Sequence, residues 1–176
     1  MKTTLLLAAA LVACAASGAA RASVCEPGYE PSNPDSAYLL GPDGTATDIR
    51  TGLVWKRCVE GFTWDGTTCT GSAAFFDWPQ AIALAEASTY ASAQDWRLPN
   101  AKEMLSVAET CRMDPAVNVT VFPLTPTAQT DQFAFWTSSP VVGGTNLSWY
   151  VRSGRGDTGE GTRNVTRLVR LVRGSP

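Results

Sequence analysis

Hydrophobic residues occur in short runs separated by Gly, Pro, Asn and Asp, a pattern typical of short strands joined by turns and long loops. Strands are predicted at residues 38–40, 45–47, 53–58, 96–98, 133–137, 148–151 and 165–173. The segment from Gly154 to Gly161 is predicted to be a glycine-rich loop, because glycine is depleted in strands.

Two segments have the periodicity of helices, and each begins with a capping box. The first segment follows Asp77, with Gln80 at the third position. Its predicted buried face consists of Trp78, Ala81, Ile82 and Ala85. The second segment follows Asn100, with Glu103 at the third position.

A short apolar run, Trp96-Arg97-Leu98-Pro99, leads directly into the second helix. Trp96 and Leu98 alternate with Arg97, so the two apolar side chains are predicted to face the core and the arginine to face away from it. Arg97 is therefore expected to belong to the frame of the fold.

Residues 1–22 are predicted to be a signal peptide. Lys2 precedes an apolar stretch that is too short for a permanent membrane anchor, and Ala20-Arg21-Ala22 offers a cleavage site before Ser23. A second possibility is lipidation at Cys14, since Leu11-Val12-Ala13-Cys14 resembles a bacterial lipobox. Both routes export the protein, to the periplasm, the cell surface or the medium. Membrane attachment is expected only if Cys14 is lipidated.

Four cysteines remain in the exported chain, and an even number is typical of disulfides in an oxidising compartment. Cys58 and Cys69 flank a Gly/Thr-rich excursion, which favours a local bridge between them. Elimination then pairs Cys25 with Cys111. Because the chain has no histidine and no C-x-x-C motif, we expect no metal site and no cofactor.

The distribution of these elements predicts an irregular N-terminal arm, residues 23–37, followed by one domain, residues 38–176. The fold class is α+β, with two helices packed on short antiparallel strands that are connected by long loops.

Seven short motifs occur in a fixed order. They are D-x-x-T-G-L-x-W at 48–55, the Cys58/Cys69 excursion, W-R-L-P-x-x-x-E at 96–103, F-P at 122–123, F-W-T-S-S at 135–139, W-Y-V at 149–151 and R-L-V-R-G at 170–174. Together they resemble the C-terminal domain family of the Legionella collagen-like adhesin, the Lcl C-terminal domain, across residues 38–174.

This resemblance implies a C-type-lectin-like fold without established catalysis, and roles in adhesion, biofilm formation and binding of sulfated polysaccharides. The motif residues that are expected to be structural are Trp55, Trp96, Arg97, Leu98, Pro99, Trp136, Arg170 and Arg173. Because one fold hosts many functions, the functional part of the resemblance is an analogy.

The chemistry of common enzymes is absent from the sequence. Without histidine there is no Ser-His-Asp or Cys-His arrangement, and P-loop and H-E-x-x-H motifs are also missing. We therefore expect no catalysis. The alternative is an enzyme acting on envelope carbohydrate through paired carboxylates such as Asp157 and Glu160, which are otherwise expected to be solvated charges.

The charge is divided unequally along the chain. Residues 23–147 contain six basic residues and fourteen acids, a net charge of −8. Residues 148–176 contain six arginines and two acids, a net charge of +4. An arginine fork matches sulfate, phosphate or carboxylate, so Arg152, Arg155 and Arg163 are predicted to bind an anion beside Trp149. One interpretation of Arg170 and Arg173 is that they pair with carboxylates at the edge of the core.

The sequence thus predicts an exported, non-catalytic binding module of the bacterial envelope or surface. Its expected partner is an anionic polysaccharide or an envelope protein, and an exported acidic protein is not expected to bind nucleic acid. A lipid-anchored structural role is the further alternative if Cys14 is modified. The oligomeric state stays open.

Overall fold

The computed structural model describes residues 25, 27–123, 125 and 133–174. The predicted signal peptide, with Cys14 and the cleavage site before Ser23, lies outside the described residues. The described part has an α+β fold of two short helices and three antiparallel sheets. Within it, no helix is both long enough and apolar enough to cross a bilayer.

Short strands occur throughout the described residues, and both helices lie in the middle. The strands are β1 (Tyr38–Leu40), β2 (Thr45–Asp48), β3 (Val54–Lys56), β4 (Phe62–Trp64), β5 (Cys69–Gly71), β6 (Ala134–Pro140), β7 (Leu147–Arg152), β8 (Thr158–Thr162) and β9 (Val172–Arg173). The helices are α1 (Trp78–Glu86) and α2 (Ala101–Ser106), with 3₁₀ turns at Asp35–Ala37 and Tyr90–Ser92. Three of the strands, β4, β5 and β8, were not predicted, and the predicted strand at 96–98 forms only an isolated bridge between Arg97 and Val172.

The first sheet has the order β1-β2-β3-β9, so the last strand of the chain pairs with one of the earliest. Hairpin β4–β5 forms a small second sheet, and β6-β7-β8 forms the third. All of these strand pairs are antiparallel.

The C-terminal segment joins the first and third sheets. Its backbone bonds first to β6, where the amide of Leu168 donates to Ala134 at 2.9 Å, and then to the β3 region, where Lys56 donates to Leu171 at 3.0 Å. The predicted strand at 165–173 is therefore wrong in extent, because only Val172–Arg173 forms a strand. Successive backbone groups of this segment bond to different neighbours instead of following one strand.

Both predicted capping boxes are confirmed. The Asp77 carboxylate accepts a hydrogen bond from the Gln80 amide at 2.9 Å, and the Gln80 side chain accepts one from the Asp77 amide at 3.1 Å. Asn100 and Glu103 make the equivalent pair at α2. These local bonds satisfy amides that have no partner inside the helix, which explains why both starts could be predicted.

The Trp96–Pro99 segment alternates as expected, with Trp96 and Leu98 buried and Arg97 partly exposed. The backbone of Arg97 bonds with Val172 in both directions, at 2.9 and 3.0 Å, and so extends the first sheet. Its guanidinium donates to both oxygens of Glu103 at 2.7 and 2.8 Å. Glu103 therefore caps α2 and fixes Arg97.

Two hydrophobic clusters form the core. One includes Trp55, Phe122, Phe135, Val151 and Met104, and lies on the α2 side of the third sheet. The other includes Ala81, Ala85, Trp96, Trp136 and Tyr150, and lies on the α1 side.

The N-terminal arm is fastened to the domain in two ways. Cys25 is bonded to Cys111 and Cys58 is bonded to Cys69, which confirms both predicted bridges. In addition, the buried carboxylate of Glu109 accepts hydrogen bonds from the amides of Ser32 at 2.7 Å and Asn33 at 3.0 Å. The disulfides are consistent with an exported protein.

The predicted glycine-rich loop at 154–161 is wrong in its second half. Residues Thr158–Thr162 form β8, which pairs with β7 over five consecutive residues without a shift in register. Glycine normally weakens a strand, so its presence at Gly159 and Gly161 requires a packing reason.

Candidate functional site

One face of the third sheet contains a row of arginines and aromatic rings. Side chains alternate between the two faces of a strand, so Ser148, Tyr150 and Arg152 share one face of β7, and Trp136 lies opposite Tyr150 on β6. Val151 belongs to the other core cluster and faces the other way. We call the first side of the sheet the arginine–aromatic face and define it by Arg152, Arg163, Arg167, Trp78, Trp136 and Tyr150. Its centre is buried, and Arg152, Arg163 and Trp78 are the partly exposed members.

The glycines of β8 make room for this row. Gly159 lies opposite Tyr150 in the register, and a Cβ at Gly159 would be 2.4 Å from the Tyr150 ring. A Cβ at Gly161 would be 2.6 Å from Nη2 of Arg167. The space over β8 that side chains would occupy is therefore filled by the Tyr150 ring and the Arg167 guanidinium.

Arg167 occupies the centre of the face. Its guanidinium carbon lies 3.8 Å from the Tyr150 ring centre and 4.9 Å from that of Trp136, and the residue is only 4% exposed. The backbone of Arg167 exchanges two hydrogen bonds of 2.9 Å with Phe76. Cation–π contacts in such a desolvated setting are worth about 2 kcal/mol, so Arg167 braces the rings.

Arg163 lies at one end of the face, and two side chains hold its guanidinium. Its guanidinium stacks on Trp78 at 4.2 Å, and its Nε donates to the buried hydroxyl of Ser148 at 2.9 Å. The Trp78 indole is itself fixed by donating to the carbonyl of Thr137 at 2.8 Å. Within the described part of the chain the two terminal nitrogens of Arg163 make no hydrogen bond, and they form a pre-oriented donor pair for an external anion.

Arg152 lies at the other end. It donates to Asp157 at 2.8 Å and to the Tyr150 hydroxyl at 3.2 Å. By strand geometry, Arg152 and Ser148 are about 13 Å apart along β7. Asp157 neutralises much of the charge at this end, which leaves the Arg163 end the more favourable place for an anion. Arg155 is exposed in the turn between β7 and β8.

The structure divides the predicted group of Arg152, Arg155, Arg163 and Trp149. Arg152 and Arg163 share the arginine–aromatic face, at opposite ends. Trp149 pairs with Glu160 and, by alternation along β7, its side chain belongs to the opposite face.

The arginines assigned to the frame differ from each other. Arg170 is 1% exposed and donates to the carbonyls of Lys56 and Arg57 and to the hydroxyl of Thr125. Burial lowers the pKa of Arg170 to about 9, so it remains a cation at neutral pH. The interpretation that Arg170 pairs with a carboxylate is thus wrong, because buried carbonyls take that role.

Arg173 matches that interpretation, since it pairs with Asp95 at 3.6 Å. Its guanidinium also lies 5.7 Å from the Trp96 ring. This pair closes the edge of the first sheet beside the Trp96–Pro99 segment.

Hydrogen bonds stabilise the ionised form of the buried carboxylates. Burial alone would raise the pKa of Glu103, but hydrogen bonds from Arg97 and from the Asn100 amide outweigh it and lower the pKa. The same balance of burial against hydrogen bonds lowers the pKa of Asp48 and of Glu109. A general acid needs a raised pKa, so none of these three has the environment of one.

One group of metal-ligand residue types occurs in the described part of the chain, formed by Cys25, Glu109 and Cys111. Both cysteines are in the disulfide, so they offer no thiolate. The arginine–aromatic face itself consists of cations and rings, which are groups suited to contact an anion.

Two residues of the face, Trp78 and Arg167, were missed in the sequence, as was Ser148, whose hydroxyl accepts the hydrogen bond from Arg163. Trp78 was assigned only to a helix face, and its arginine partner lies far along the chain. The one local signal was the G-x-G pattern of residues 159–161. By itself this pattern indicates a loop, and its packing against Tyr150 becomes visible only when the pairing of β8 with β7 is known.

Comparison with protein families agrees with the motif order. The family model described as the Lcl C-terminal domain matches residues 44–173, which include β2 through β9 and the whole arginine–aromatic face. No curated protein matches the chain.

Proposed function

The chain belongs to the Lcl C-terminal domain family, and from that premise we propose that it is an exported, non-catalytic module that binds an anionic polysaccharide. The family suggests an adhesin-associated role. Under this proposal the ligand binds on the arginine–aromatic face, with its sulfate or carboxylate at Arg163. We also propose that the fold is C-type-lectin-like, which is supported by two short helices on antiparallel strands and by β9 pairing with β3.

The observation that carries the proposal is the fixed orientation of the Arg163 guanidinium. Stacking on Trp78 and the bond to Ser148 fix the guanidinium before any ligand arrives, so little conformational entropy is lost on binding. A bidentate contact from such a group is stronger than one from a mobile surface lysine. The Trp78 ring lies beside it and is partly exposed.

Binding rather than catalysis is supported by the carboxylates. Asp157 is engaged by Arg152, and Asp157 and Glu160 belong to different environments, since Glu160 lies on the opposite face by alternation along β8. A pair of carboxylates acting on one glycosidic bond would have to face the same ligand.

The test is salt elution from a heparin column. We expect Arg163→Ala to elute at clearly lower salt than the parent, and Arg163→Lys to fall between them because it keeps the charge but loses the fork. Ser148→Ala is expected to weaken retention at unchanged charge. Lys102→Ala removes an exposed cation on α2 and serves as the matched control, with elution close to that of the parent.

The triple variant Arg152→Ala, Arg155→Ala and Arg163→Ala is expected to lose most retention. If the parent is not retained, or if the folded Arg163→Ala variant elutes with the parent, the anionic-glycan proposal fails. An envelope protein would then be the partner to search for, and acylation at Cys14 would favour a lipid-anchored structural role.

A further inference from the structure

Strand β8 has two unlike faces. Gly159 and Gly161 turn toward the arginine–aromatic face, so Thr158, Glu160 and Thr162 turn toward the other one. All three of these residues are exposed. Trp149 is the direct partner of Glu160 on β7 and is partly exposed. We call this surface the Trp149–Glu160 face.

The indole of Trp149 differs from the other tryptophan indoles. Those of Trp64, Trp78, Trp96 and Trp136 each donate to a backbone carbonyl, at 2.8 to 3.0 Å. The indole nitrogen of Trp55 is enclosed in the core. Among described residues Trp149 has no acceptor for its indole N–H, and this nitrogen is not enclosed. Trp149 therefore presents a ring and an unused donor at the surface.

Glu160 supplies the matching acceptor. No described residue forms an ion pair with it, and it lies directly across from Trp149 at the outer edge of the sheet. The hydroxyls of Thr158 and Thr162, two positions away on either side, add groups that both donate and accept. A carboxylate at this position repels anions, and the cations of Arg152 and Arg163 belong to the opposite face.

We propose that the Trp149–Glu160 face binds a neutral saccharide. The apolar side of a pyranose ring matches the indole, and sugar hydroxyls match a carboxylate acceptor, an indole donor and two threonine hydroxyls. A sulfated or uronic-acid chain would meet Glu160 unfavourably. The site is independent of the arginine–aromatic face, so one domain would hold a charged and an uncharged glycan on opposite sides of one sheet.

The experiment is affinity electrophoresis of the exported chain in native gels that contain dextran, mannan, galactomannan or laminarin. We expect at least one of these neutral polysaccharides to retard the parent. Trp149→Ala is expected to abolish retardation, and Trp149→Tyr to preserve it because a ring remains. Glu160→Gln removes a charged acceptor and is expected to weaken binding about tenfold.

Two controls separate this site from the proposed anion site. Glu86→Gln removes an exposed carboxylate on α1 and is expected to leave retardation unchanged. Arg163→Ala is expected to lose heparin retention and keep retardation by the neutral polysaccharide, which should also be insensitive to salt. Near-ultraviolet circular dichroism checks that each variant is folded. The inference is overturned if none of the four polysaccharides retards the parent. It is also overturned if Trp149→Ala, Trp149→Tyr and Glu160→Gln are all folded and all retarded as strongly as the parent.

Discussion

Replacing Gly159 by alanine tests whether β8 is a strand whose glycines admit the Tyr150 ring. The new Cβ would lie 2.4 Å from both Cζ and the hydroxyl oxygen of Tyr150, far inside van der Waals contact. Tyr150 is 2% exposed and touches Trp136 and Arg167, so its ring has little room to move away. The Gly159 backbone is not in the left-handed region, so the effect is one of packing alone.

Two opposing contributions set the magnitude. Alanine in a strand is favoured over glycine by about 0.5–1 kcal/mol because it restricts the unfolded chain. Overpacking of a buried site costs roughly 1–3 kcal/mol, and a contact this short belongs at the upper end. The free energy of unfolding should therefore fall by about 2 kcal/mol, which lowers Tm by roughly 4–8 °C in a chain of this size.

Thermal unfolding followed by circular dichroism measures this change. Thr162→Ala, on the same strand but the opposite face, is the control and should stay within about 0.5 kcal/mol of the parent. Heparin retention of Gly159→Ala should also fall, although no charge is removed. A Tm equal to or above that of the parent would refute the reasoning, because a flexible glycine loop gains stability from alanine.

Two further predictions concern the frame. Glu103→Gln should reduce the loss of stability in acid. Because folding lowers the pKa of Glu103, its contribution to the free energy of unfolding is complete above the unfolded pKa, near 4.5, and is lost as the pH falls through the lower folded value. Urea unfolding at pH 3 and pH 7 measures this, and an unchanged pH dependence would contradict it. Arg170→Met should lower the free energy of unfolding by about 2–4 kcal/mol, since the carbonyls of Lys56 and Arg57 lose their buried donor. The folded fraction of this variant should elute from heparin at the same salt concentration as the parent. A shifted elution would place Arg170 in the binding face.

The parts of the fold that could be predicted are those fixed by neighbours in sequence. Both capping boxes lie within four residues, and Trp96 and Leu98 alternate with Arg97 over three. The Cys58–Cys69 bridge closes a short excursion. In each case the physical cause is local, so one sequence contains it.

The candidate site depends on contacts that sequence order hides. Arg163 stacks on Trp78 from another part of the chain, and Tyr150 and Arg167 fill the space over the glycines of β8. Trp149 and Arg152 seemed close because they are near in sequence. They are three residues apart in one strand, however, and an odd separation puts two side chains on opposite faces.

The central claim, that the arginine–aromatic face binds an anionic polysaccharide, is tested most directly by NMR with a ¹⁵N-labelled chain titrated with a heparin tetrasaccharide. The account predicts that the Arg163 Nε–H and Trp78 indole signals shift together with one dissociation constant, and that the Trp149 indole signal stays in place. Shifts confined to Trp149 or to α2, with the Arg163 and Trp78 signals unmoved, would contradict the account.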